Sequence, residues 1–317
     1  MSEFDLIRQH FIKATQHTNL GIGDDAALIS VPIGVELAIS TDMLVAGTHF
    51  FADIDAYQLG WKSLAVNVSD MAAMGANPKW ATLAIALPAK DAIWLSQFSN
   101  GFFACAKIFN IDLIGGDTTR GPLTISVQIM GETPHGEAIK RSGAKIGDDI
   151  WVSGVLGDAA LALAHIQNKC ILTESEFLDC AKSLHMPQPR VTLGLALRNI
   201  ANSAVDISDG LISDLSHILY ASQTGAELRL NDFPCSNLMQ KYRVNPLTQT
   251  MILAGGDDYE LCFTAPADKH DEIISLGERL DLKLTKIGNI THGNGLIVRD
   301  FNDEVLSIKE TGFDHFN

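Results

Sequence analysis

The stretch AYQLGWKSLAVNVSDMAAMGA, from Ala56 to Ala76, gives the first firm indication of the fold. Its large apolar side chains recur every three or four positions, at Tyr57, Trp61, Leu64, Val68 and Met71. This spacing predicts a helix over Ala56–Met74 with a buried face, and Gly75 is the type of residue that ends such a helix. Asp70 falls in the apolar part of this helix, where an unpaired carboxylate would be costly. We therefore expect Asp70 to face a cation or hydrogen-bond donors.

Strands and helices alternate on both sides of this stretch. Strands are predicted at Ala27–Val31, Glu36–Thr41, Trp80–Leu87, Asp112–Gly115, Leu123–Met130, Tyr259–Thr264, Lys283–Ile290 and Leu296–Arg299. Helices are predicted at Asp91–Phe109, Gly157–Asn168, Arg190–Asn202 and Leu211–Ser222. Interleaved elements of this kind predict a mixed α/β (α+β) class. The charged, glycine-containing segment near residues 140–149 marks a domain boundary, which gives domains of residues 1–140 and 141–317.

The composition excludes several classes of protein. The chain has 317 residues, 46% hydrophobic and 19% charged, which is typical of a globular protein. Acids outnumber bases 38 to 23, and the formal charge of −15 argues against nucleic-acid partners and binding to anionic membranes. No apolar stretch is long enough to span a membrane, and no signal peptide is visible. The five cysteines lack a CxxC pair, so we expect reduced thiols in the cytoplasm and no structural zinc.

The placement of the aspartates indicates that they bind a ligand or a metal ion. Nine of them lie in short segments rich in glycine, serine or threonine: Asp24, Asp25, Asp42, Asp70, Asp117, Asp206, Asp209, Asp257 and Asp258. Their short side chains hold the carboxylate near the backbone, which suits Mg²⁺. Clustered carboxylates repel one another unless cations neutralise them. Each aspartate alone could be a turn or helix-cap residue, and Asp209 is a plausible N-cap of the helix near Leu211. Taken together, they favour a metal–phosphate site.

Individual motifs sharpen this interpretation. GIGDDAA, from Gly21 to Ala27, superficially fits a dinucleotide fingerprint, but two adjacent carboxylates would repel a bare pyrophosphate and favour a metal–nucleotide. IGGDTTRGP, from Ile114, is expected to form a turn whose amides approach a phosphate, with Arg120 and Arg141 as candidate phosphate partners. The chain has no GxxxxGK[ST] loop, no protein-kinase motif set and no nucleophile elbow.

The motifs occur in a recognisable order. They are GIGDDAA, STD, VAGTHF, VSDMAAMGA, IGGDTTRGP, KRSGAKIGD, VDISDGL, GGDDYEL and the terminal GFDHF. In this order, from about Gly21 to Phe316, they resemble the thiamine-monophosphate kinase family of the aminoimidazole-ribonucleotide-synthetase-like superfamily. The resemblance implies two α/β domains: an N-terminal one that binds ATP and Mg²⁺ and forms a homodimer, and a C-terminal one that completes the nucleotide and substrate site. The implied reaction is ATP-dependent phosphorylation of thiamine monophosphate.

The resemblance also implies roles for single residues. The implied ligands of several Mg²⁺ ions are Asp25, Ser40, Thr41, Asp42, Asp70, Asp117, Asp206 and Asp209. Gly116, Asp117, Arg141 and Ser208 would contact ATP, the co-substrate, and His49, Asp257 and Phe313 would contact thiamine monophosphate. Two positions depart from the family pattern: Asp257 stands where the family often has glutamate, and Phe313 where it often has tyrosine or tryptophan.

The mechanism expected from the family is direct in-line transfer, with neither a covalent nucleophile nor a general base among the residues. Three other interpretations stay open. The first is a sister activity of the superfamily, either aminoimidazole ribonucleotide synthesis or selenophosphate synthesis. Selenophosphate synthesis uses a reactive Cys or selenocysteine near the N-terminus, whereas the first cysteine of this chain is Cys105. The second is a metal-loaded nucleotide-binding scaffold without catalysis. The third, a Ca²⁺-binding structural protein, is remote because no EF-hand spacing occurs.

Overall fold

Helices and strands alternate along the chain, which confirms the predicted mixed α/β class. The computed structural model describes residues 3–308 and 312–313. The elements up to residue 134 are α1 (Glu3–His10), β1 (Val35–Val45), α2 (Ala56–Ala73), β2 (Asn77–Leu87), α3 (Ala92–Phe109), β3 (Asp112–Arg120) and β4 (Thr124–Pro134). The later ones are β5 (Asp149–Ser153), α4 (Asp158–Ile166), α5 (Glu174–His185), α6 (Val191–Ala196), β6 (Ser203–Asp206), α7 (Leu211–Ser222), β7 (Gly225–Arg229), α8 (Asn237–Gln240), α9 (Pro246–Ala254), β8 (Leu261–Ala265), α10 (His270–Leu280), β9 (Leu284–Thr291) and β10 (Gly295–Arg299).

These elements fall into two compact units. The first contains the chain up to Met71 together with Ala76–Ala138, and the second contains Ala72–Gly75 and the chain from Ile139 onward. No helix among residues 3–308 is long and apolar enough to cross a membrane.

The first unit is built on a four-stranded sheet in the order β1-β4-β2-β3. Strands β2 and β3 are parallel and the other pairs are antiparallel. Helices α2 and α3 approach each other closely at two glycines: a Cβ on Gly60 would lie 2.0 Å from the Phe98 carbonyl oxygen, and one on Gly101 would lie 1.8 Å from the Tyr57 carbonyl oxygen. Only glycine permits this backbone contact. Helix α2 is buried along most of its length, so its apolar residues form the core that the sequence predicts.

The second unit contains a six-stranded mixed sheet in the order β10-β7-β9-β5-β8-β6. Only β7 and β10 pair in parallel. Buried side chains from the sheet and from α4, α7 and α9 form one continuous core, which includes Ile150, Leu161, Val205, Leu215, Ile218, Leu228 and Met251. Strands β5, β6 and β8 are buried along their full length and therefore show no alternation of apolar and polar residues.

Three sequence predictions about elements are wrong. Residues 27–31 form no strand; Ala27 and Ile29 are apolar because they pack against the cluster around Trp80. The glycines of IGGDTTRGP do not end a strand, since β3 runs through them to Arg120 in register with β2. The helix predicted to reach Asn202 is only α6, because Asn199 adopts a left-handed backbone with φ of 62°.

Candidate functional site

The first unit brings three of the predicted metal ligands together where β1 meets α2. The Ser40 hydroxyl donates to Asp70 Oδ2 at 2.5 Å. The amide of Asp42 donates to Asn67 Oδ1 at 3.1 Å, and Asn67 is held in turn by its bond to the Ser63 carbonyl at 3.0 Å. Ser40 and Asp42 alternate along β1 and therefore share the sheet face that meets α2. This face is a set of hydroxyl and carboxylate oxygens that a hard cation could use.

Two further predicted ligands lie on the opposite face of the same sheet. Thr41 is exposed on β1, and Asp117 is exposed on β3 opposite Ala84. Gly116, the neighbour of Asp117 on β3, lies directly across the sheet from Asp42 on β1, with β4 and β2 between them. Three strand spacings separate the two positions by roughly 14 Å. Within the first unit, the structure therefore does not bring Asp117 to the group around Ser40 and Asp70.

Gly116 is required by the packing of β3 on β2. Its φ is +147°, and a Cβ there would lie 1.8 Å from the carbonyl oxygen of Leu83. Neighbouring Gly115 is not constrained in this way, because the nearest atom, Thr82 Cγ2, lies 3.8 Å from its hypothetical Cβ. The contact of Gly116 with ATP stays a prediction, but the packing of β3 on β2 already explains why this residue is a glycine.

His49 lies in the tight turn that follows β1. Its Nδ1 accepts the Val45 amide at 3.0 Å, and its own amide donates to the Val45 carbonyl at 3.0 Å. A neutral imidazole whose Nδ1 accepts carries its proton on Nε2. His49 can therefore present an Nε2–H donor, which is suited to a phosphate oxygen.

The segment with Asp24 and Asp25 is exposed, and the Asp25 amide donates to Asp24 Oδ1 at 2.9 Å. The preceding chain is anchored by Asp112, a buried acid that is not among the predicted site residues. Its carboxylate accepts the amides of Gln16 and His17 and the Thr18 hydroxyl, at 2.6 to 3.0 Å. No local signal could have revealed this contact, which joins residues more than 90 positions apart.

The second unit brings a further set of predicted residues together. Asp206 ends β6 and is buried, and the chain then turns through Ser208 and Asp209 into α7. The Asp257 amide donates to the Ser208 carbonyl at 2.8 Å, and the Phe313 amide donates to the Asp209 carbonyl at 3.0 Å. The backbones of four predicted site residues of this unit, Ser208, Asp209, Asp257 and Phe313, are therefore neighbours. The last three residues of the GFDHF motif, 314–316, lie outside the described residues.

The start of α7 corrects the interpretation of Asp209 as an N-cap. Gly210 is the N-cap residue, without a side-chain cap, and Asp214 Oδ2 instead accepts the amides of Ser208, Asp209 and Gly210 at 2.9, 3.1 and 3.1 Å. Burial raises the pKa of Asp214 to about 7, and the charge of Asp209 adds to this rise. Asp214 was missed, although an acid in the first turn of a predicted helix is a usable signal.

One of the two candidate arginines ends a strand, and the other lies in the segment between β4 and β5. Arg120 ends β3, and the exposed Arg141 accepts through its carbonyl the hydroxyl of Ser222 at 3.1 Å. Ser222 is the last residue of α7, whereas Ser208 precedes its first turn. Twelve helical residues span roughly 17 Å, so the backbones of Arg141 and Ser208 are well separated. That Arg141 and Ser208 contact the same ATP molecule stays a prediction.

The donor chemistry fits Mg²⁺ better than a softer metal. Within residues 3–308, no three side chains of histidine, cysteine, aspartate or glutamate come together as a metal-binding group. Mg²⁺ usually takes one or two carboxylates and completes its shell with water and phosphate oxygens. The pair Ser40–Asp70 and the nearby Asp42 provide such a partial set of oxygen ligands.

Comparison with known proteins identifies the architecture. Residues 23–133 match the N-terminal domain of AIR synthase related proteins, and residues 145–301 match the C-terminal domain. The thiamine-monophosphate kinase of Escherichia coli (strain K12) is 46% identical over 99% of this chain and 98% of its own length. A crystal structure of thiamine-monophosphate kinase from Stenotrophomonas maltophilia K279a is 45% identical with a TM-score of 0.87, covering 95% of this chain and 96% of that one. AaThiL complexed with AMPPCP and TMP is 29% identical with a TM-score of 0.78, covering 99% and 96%. The predicted two-domain architecture is thereby confirmed.

Proposed function

The chain belongs to the thiamine-monophosphate kinase family of AIR synthase related proteins, and we propose that it transfers the γ-phosphoryl group of ATP to thiamine monophosphate. The products are thiamine diphosphate and ADP. The full-length identity to enzymes of this family carries the proposal and confirms the resemblance of the motifs. A structural neighbour that holds both AMPPCP and TMP supports ATP as the co-substrate and thiamine monophosphate as the acceptor.

We propose several Mg²⁺ ions as cofactors. The residues that would hold them are Asp25, Ser40, Thr41, Asp42, Asp70, Asp117, Asp206 and Asp209. The short contact between Ser40 and Asp70, with Asp42 on the same sheet face, supports this assignment, because these are hard oxygen donors. When bound, Mg²⁺ neutralises phosphate charge and stabilises the leaving ADP.

The transfer joins an oxygen of the thiamine phosphate to the γ-phosphorus and breaks the bond to the β,γ-bridging oxygen, so that ADP leaves with that electron pair. The second pKa of a phosphate ester is about 6, so the attacking oxygen is ionised at neutral pH. The reaction therefore needs neither a general base nor a covalent nucleophile. The chain has to hold two anions in line, and proximity of this kind can supply much of the rate.

Particular residues would provide this alignment. His49 can donate from Nε2 to the thiamine phosphate, because its Nδ1 is occupied by the Val45 amide. Asp257 and Phe313 would contact the same substrate, and their backbones are fixed to Ser208 and Asp209. An aromatic face against the cationic thiamine contributes on the order of 1 kcal/mol. Gly116, Asp117, Arg141 and Ser208 would contact ATP.

We propose that two copies of the chain form a homodimer through the outer face of the four-stranded sheet. On this face Ile39 and Met43 are each 56% exposed, and their strand, β1, lies at the edge of the sheet. Exposed apolar side chains on a flat strand surface favour association with another chain. Sedimentation of the wild type and of Met43→Asp tests this: the wild type should be a dimer and the variant a monomer, and two monomers would contradict it.

The cysteines and the net charge of the chain support two further proposals, on its location and on nucleic acid. We propose a cytoplasmic location, which the five free cysteines support, and no nucleic-acid partner, which the net charge of −15 supports.

The decisive experiment incubates the purified protein with Mg–ATP and thiamine monophosphate and measures thiamine diphosphate and ADP. Equal amounts of both products are expected. No product, with Mg²⁺-dependent ATP binding intact, would favour a sister activity of the superfamily or a nucleotide-binding scaffold. Loss of ATP binding in folded protein would contradict the interpretation of the motifs.

A further inference from the structure

The segment GGDDYEL, Gly255–Leu261, has an unusual backbone next to the residues assigned to ligands. Asp257 has a φ of 69° and Tyr259 a φ of 48°, so two residues with side chains lie in the left-handed region. Residues other than glycine rarely adopt this region unless their surroundings hold them there. The position of Asp257 therefore depends on contacts that keep the segment in this conformation.

The backbone of the segment is bonded to the chain that leads to Asp209. The amide of Asp257 donates to the Ser208 carbonyl, the amide of Tyr259 donates to the Ile207 carbonyl, and the Ile207 amide donates to the Glu260 carbonyl, each at 2.8 Å. Any displacement of Glu260 would therefore be transmitted to Asp257 and Ser208.

Asp258 and Glu260, which follow Asp257, bind the loop after β5 and the last residue of β5. Both oxygens of Asp258 accept the Gly157 amide, at 3.0 and 3.1 Å. The Glu260 carboxylate accepts the Ser153 hydroxyl at 2.5 Å, and the Ser153 oxygen accepts the Leu261 amide at 2.9 Å. Glu260 is only 5% exposed. Burying a carboxylate is costly unless a cation pairs with it.

Arg190, just before α6, supplies that cation. Its Nε donates to Glu260 Oε2 at 2.7 Å, and its Nη2 forms a second, short bond to Glu260 Oε1. The fork of a guanidinium fixes both the place and the orientation of a carboxylate. Glu260 also packs closely against Gly154, because a Cβ on that glycine would lie 2.0 Å from Oε1.

We propose that Arg190 is a positioning residue for substrate binding, which acts through Glu260 to hold Asp257 beside Ser208 and Asp209. This rests on the proposed function, in which Asp257 contacts thiamine monophosphate. Without Arg190, Glu260 is an uncompensated buried charge that must move toward water, and the strained backbone at Asp257 moves with it. Arg190 itself need not touch any substrate.

The test compares Arg190→Gln with Arg243→Gln, an arginine of the same unit that donates to the carbonyls of Leu230, Asn231 and Phe233. In Arg190→Gln, we expect the KM for thiamine monophosphate to rise at least about tenfold, and the KM for Mg–ATP to change less than about threefold. The amides of Asp257 and Tyr259 should exchange their hydrogens faster. Arg243→Gln should lower thermal stability but leave these quantities near wild type.

Two further variants separate positioning from general stability. Arg190→Lys keeps the charge but not the fork, so its KM should be intermediate. Adding Glu260→Gln to Arg190→Gln removes the unpaired charge and should recover part of the lost affinity. A KM for thiamine monophosphate within about twofold of wild type in Arg190→Gln, with unchanged exchange at Asp257, would overturn the proposal.

Other failures remain distinguishable. If Arg190→Gln does not fold, Ser153→Ala, which removes one donor to Glu260 and the acceptor of the Leu261 amide, should raise the same KM by about threefold, and an unchanged KM would overturn the proposal. If the wild type forms no thiamine diphosphate, the proposed function fails, while hydrogen exchange at Asp257 and Tyr259 still decides whether Arg190 holds the segment.

Discussion

Replacing Asp112 by alanine should detach the chain that precedes Asp24 and Asp25 from the first unit. The Asp112 side chain lies at the start of β3 and is only 6% exposed. It accepts the Gln16 amide at 2.8 and 3.0 Å, the His17 amide at 2.6 Å and the Thr18 hydroxyl at 2.7 Å. Alanine leaves all three donors without this acceptor.

The magnitude follows from these three donors. A donor left without a partner in a buried place costs about 1–3 kcal/mol. The contacts are partly buried, so water can replace some of the lost acceptors and the lower end applies. We therefore expect Asp112→Ala to lower the free energy of unfolding by about 3 kcal/mol. Asp112→Asn keeps one acceptor oxygen and should cost about half as much.

The assay is denaturant unfolding together with hydrogen exchange at the amides of Gln16 and His17. Asp91→Ala is the matched control, because Asp91 caps α3 by accepting the amides of Ile93 and Trp94 from an exposed position. Losing such a cap costs about 1 kcal/mol. An Asp112→Ala cost no larger than that of Asp91→Ala, with Gln16 and His17 still protected, would refute this account of Asp112.

Three other perturbations have definite expected outcomes. Asp70→Asn should lower kcat at least about a hundredfold in a steady-state assay while circular dichroism stays unchanged, because the site of Ser40 and Asp70 loses charge. Gly116→Ala should lower the free energy of unfolding by about 2–4 kcal/mol in denaturant, because its Cβ would meet a carbonyl oxygen at 1.8 Å, whereas Gly115→Ala should cost less than about 1 kcal/mol. Burial raises the pKa of Asp158, and the charge of Asp179 adds to this, while the Ser236 hydroxyl opposes it. The folded state then binds the proton more tightly than the unfolded state, so Asp158 contributes a loss of stability as pH rises from 3.8 through its raised pKa. Asp158→Asn should remove this contribution and make the fall in thermal melts between pH 4 and 8 shallower, while the part that comes from Asp214, whose pKa is raised to about 7, remains.

Each of these outcomes has a result that would contradict it. Wild-type turnover by Asp70→Asn would exclude a metal role for this residue. Equal stability of the two alanine variants would mean that β3 can shift away from β2 at no cost. For the pH dependence, the exposed Asp268→Asn is the control and should melt in parallel with the wild type. Parallel curves for Asp158→Asn as well would show that Asp158 keeps an ordinary pKa.

The sequence predicted most accurately the long helices whose apolar residues recur at helical spacing on one face. The helix expected over Ala56–Met74 is α2, and the helix expected over Leu211–Ser222 has the same bounds in the structure. The short strands β5 and β6 were missed, although β8, which is also short and buried throughout, was predicted at Tyr259–Thr264. All three lack an alternating pattern, so the pattern alone does not identify such strands. Helix α5 was also missed, although Thr173 and Glu176 form a capping box that was visible in the sequence.

The candidate site was predictable as a list of residues but not as an arrangement. The motifs gave Ser40, Asp42 and Asp70, and the structure joins them, because a strand and the following helix pack locally. The approach of Phe313 to Asp209 spans about a third of the chain, and nothing local to either residue indicates it. Contacts of this kind form only when the sheet is assembled, so they can be found from the structure but not from the sequence.

The acid-rich motifs contain two kinds of carboxylate that the sequence does not distinguish. In SDGLISD, Asp214 collects three backbone amides and fixes the turn that carries Asp209. In GGDDYEL, Glu260 binds Arg190 and fixes the segment that carries Asp257. In both motifs, the acid that holds the backbone lies three to five residues after the acid that we propose as a ligand-binding residue. A carboxylate that fixes a turn can therefore keep a neighbouring carboxylate in place against the repulsion of a shared site. This predicts that neutralising Asp214 or Glu260 perturbs ligand binding indirectly, through geometry, whereas neutralising Asp209 or Asp257 perturbs it directly, through lost charge.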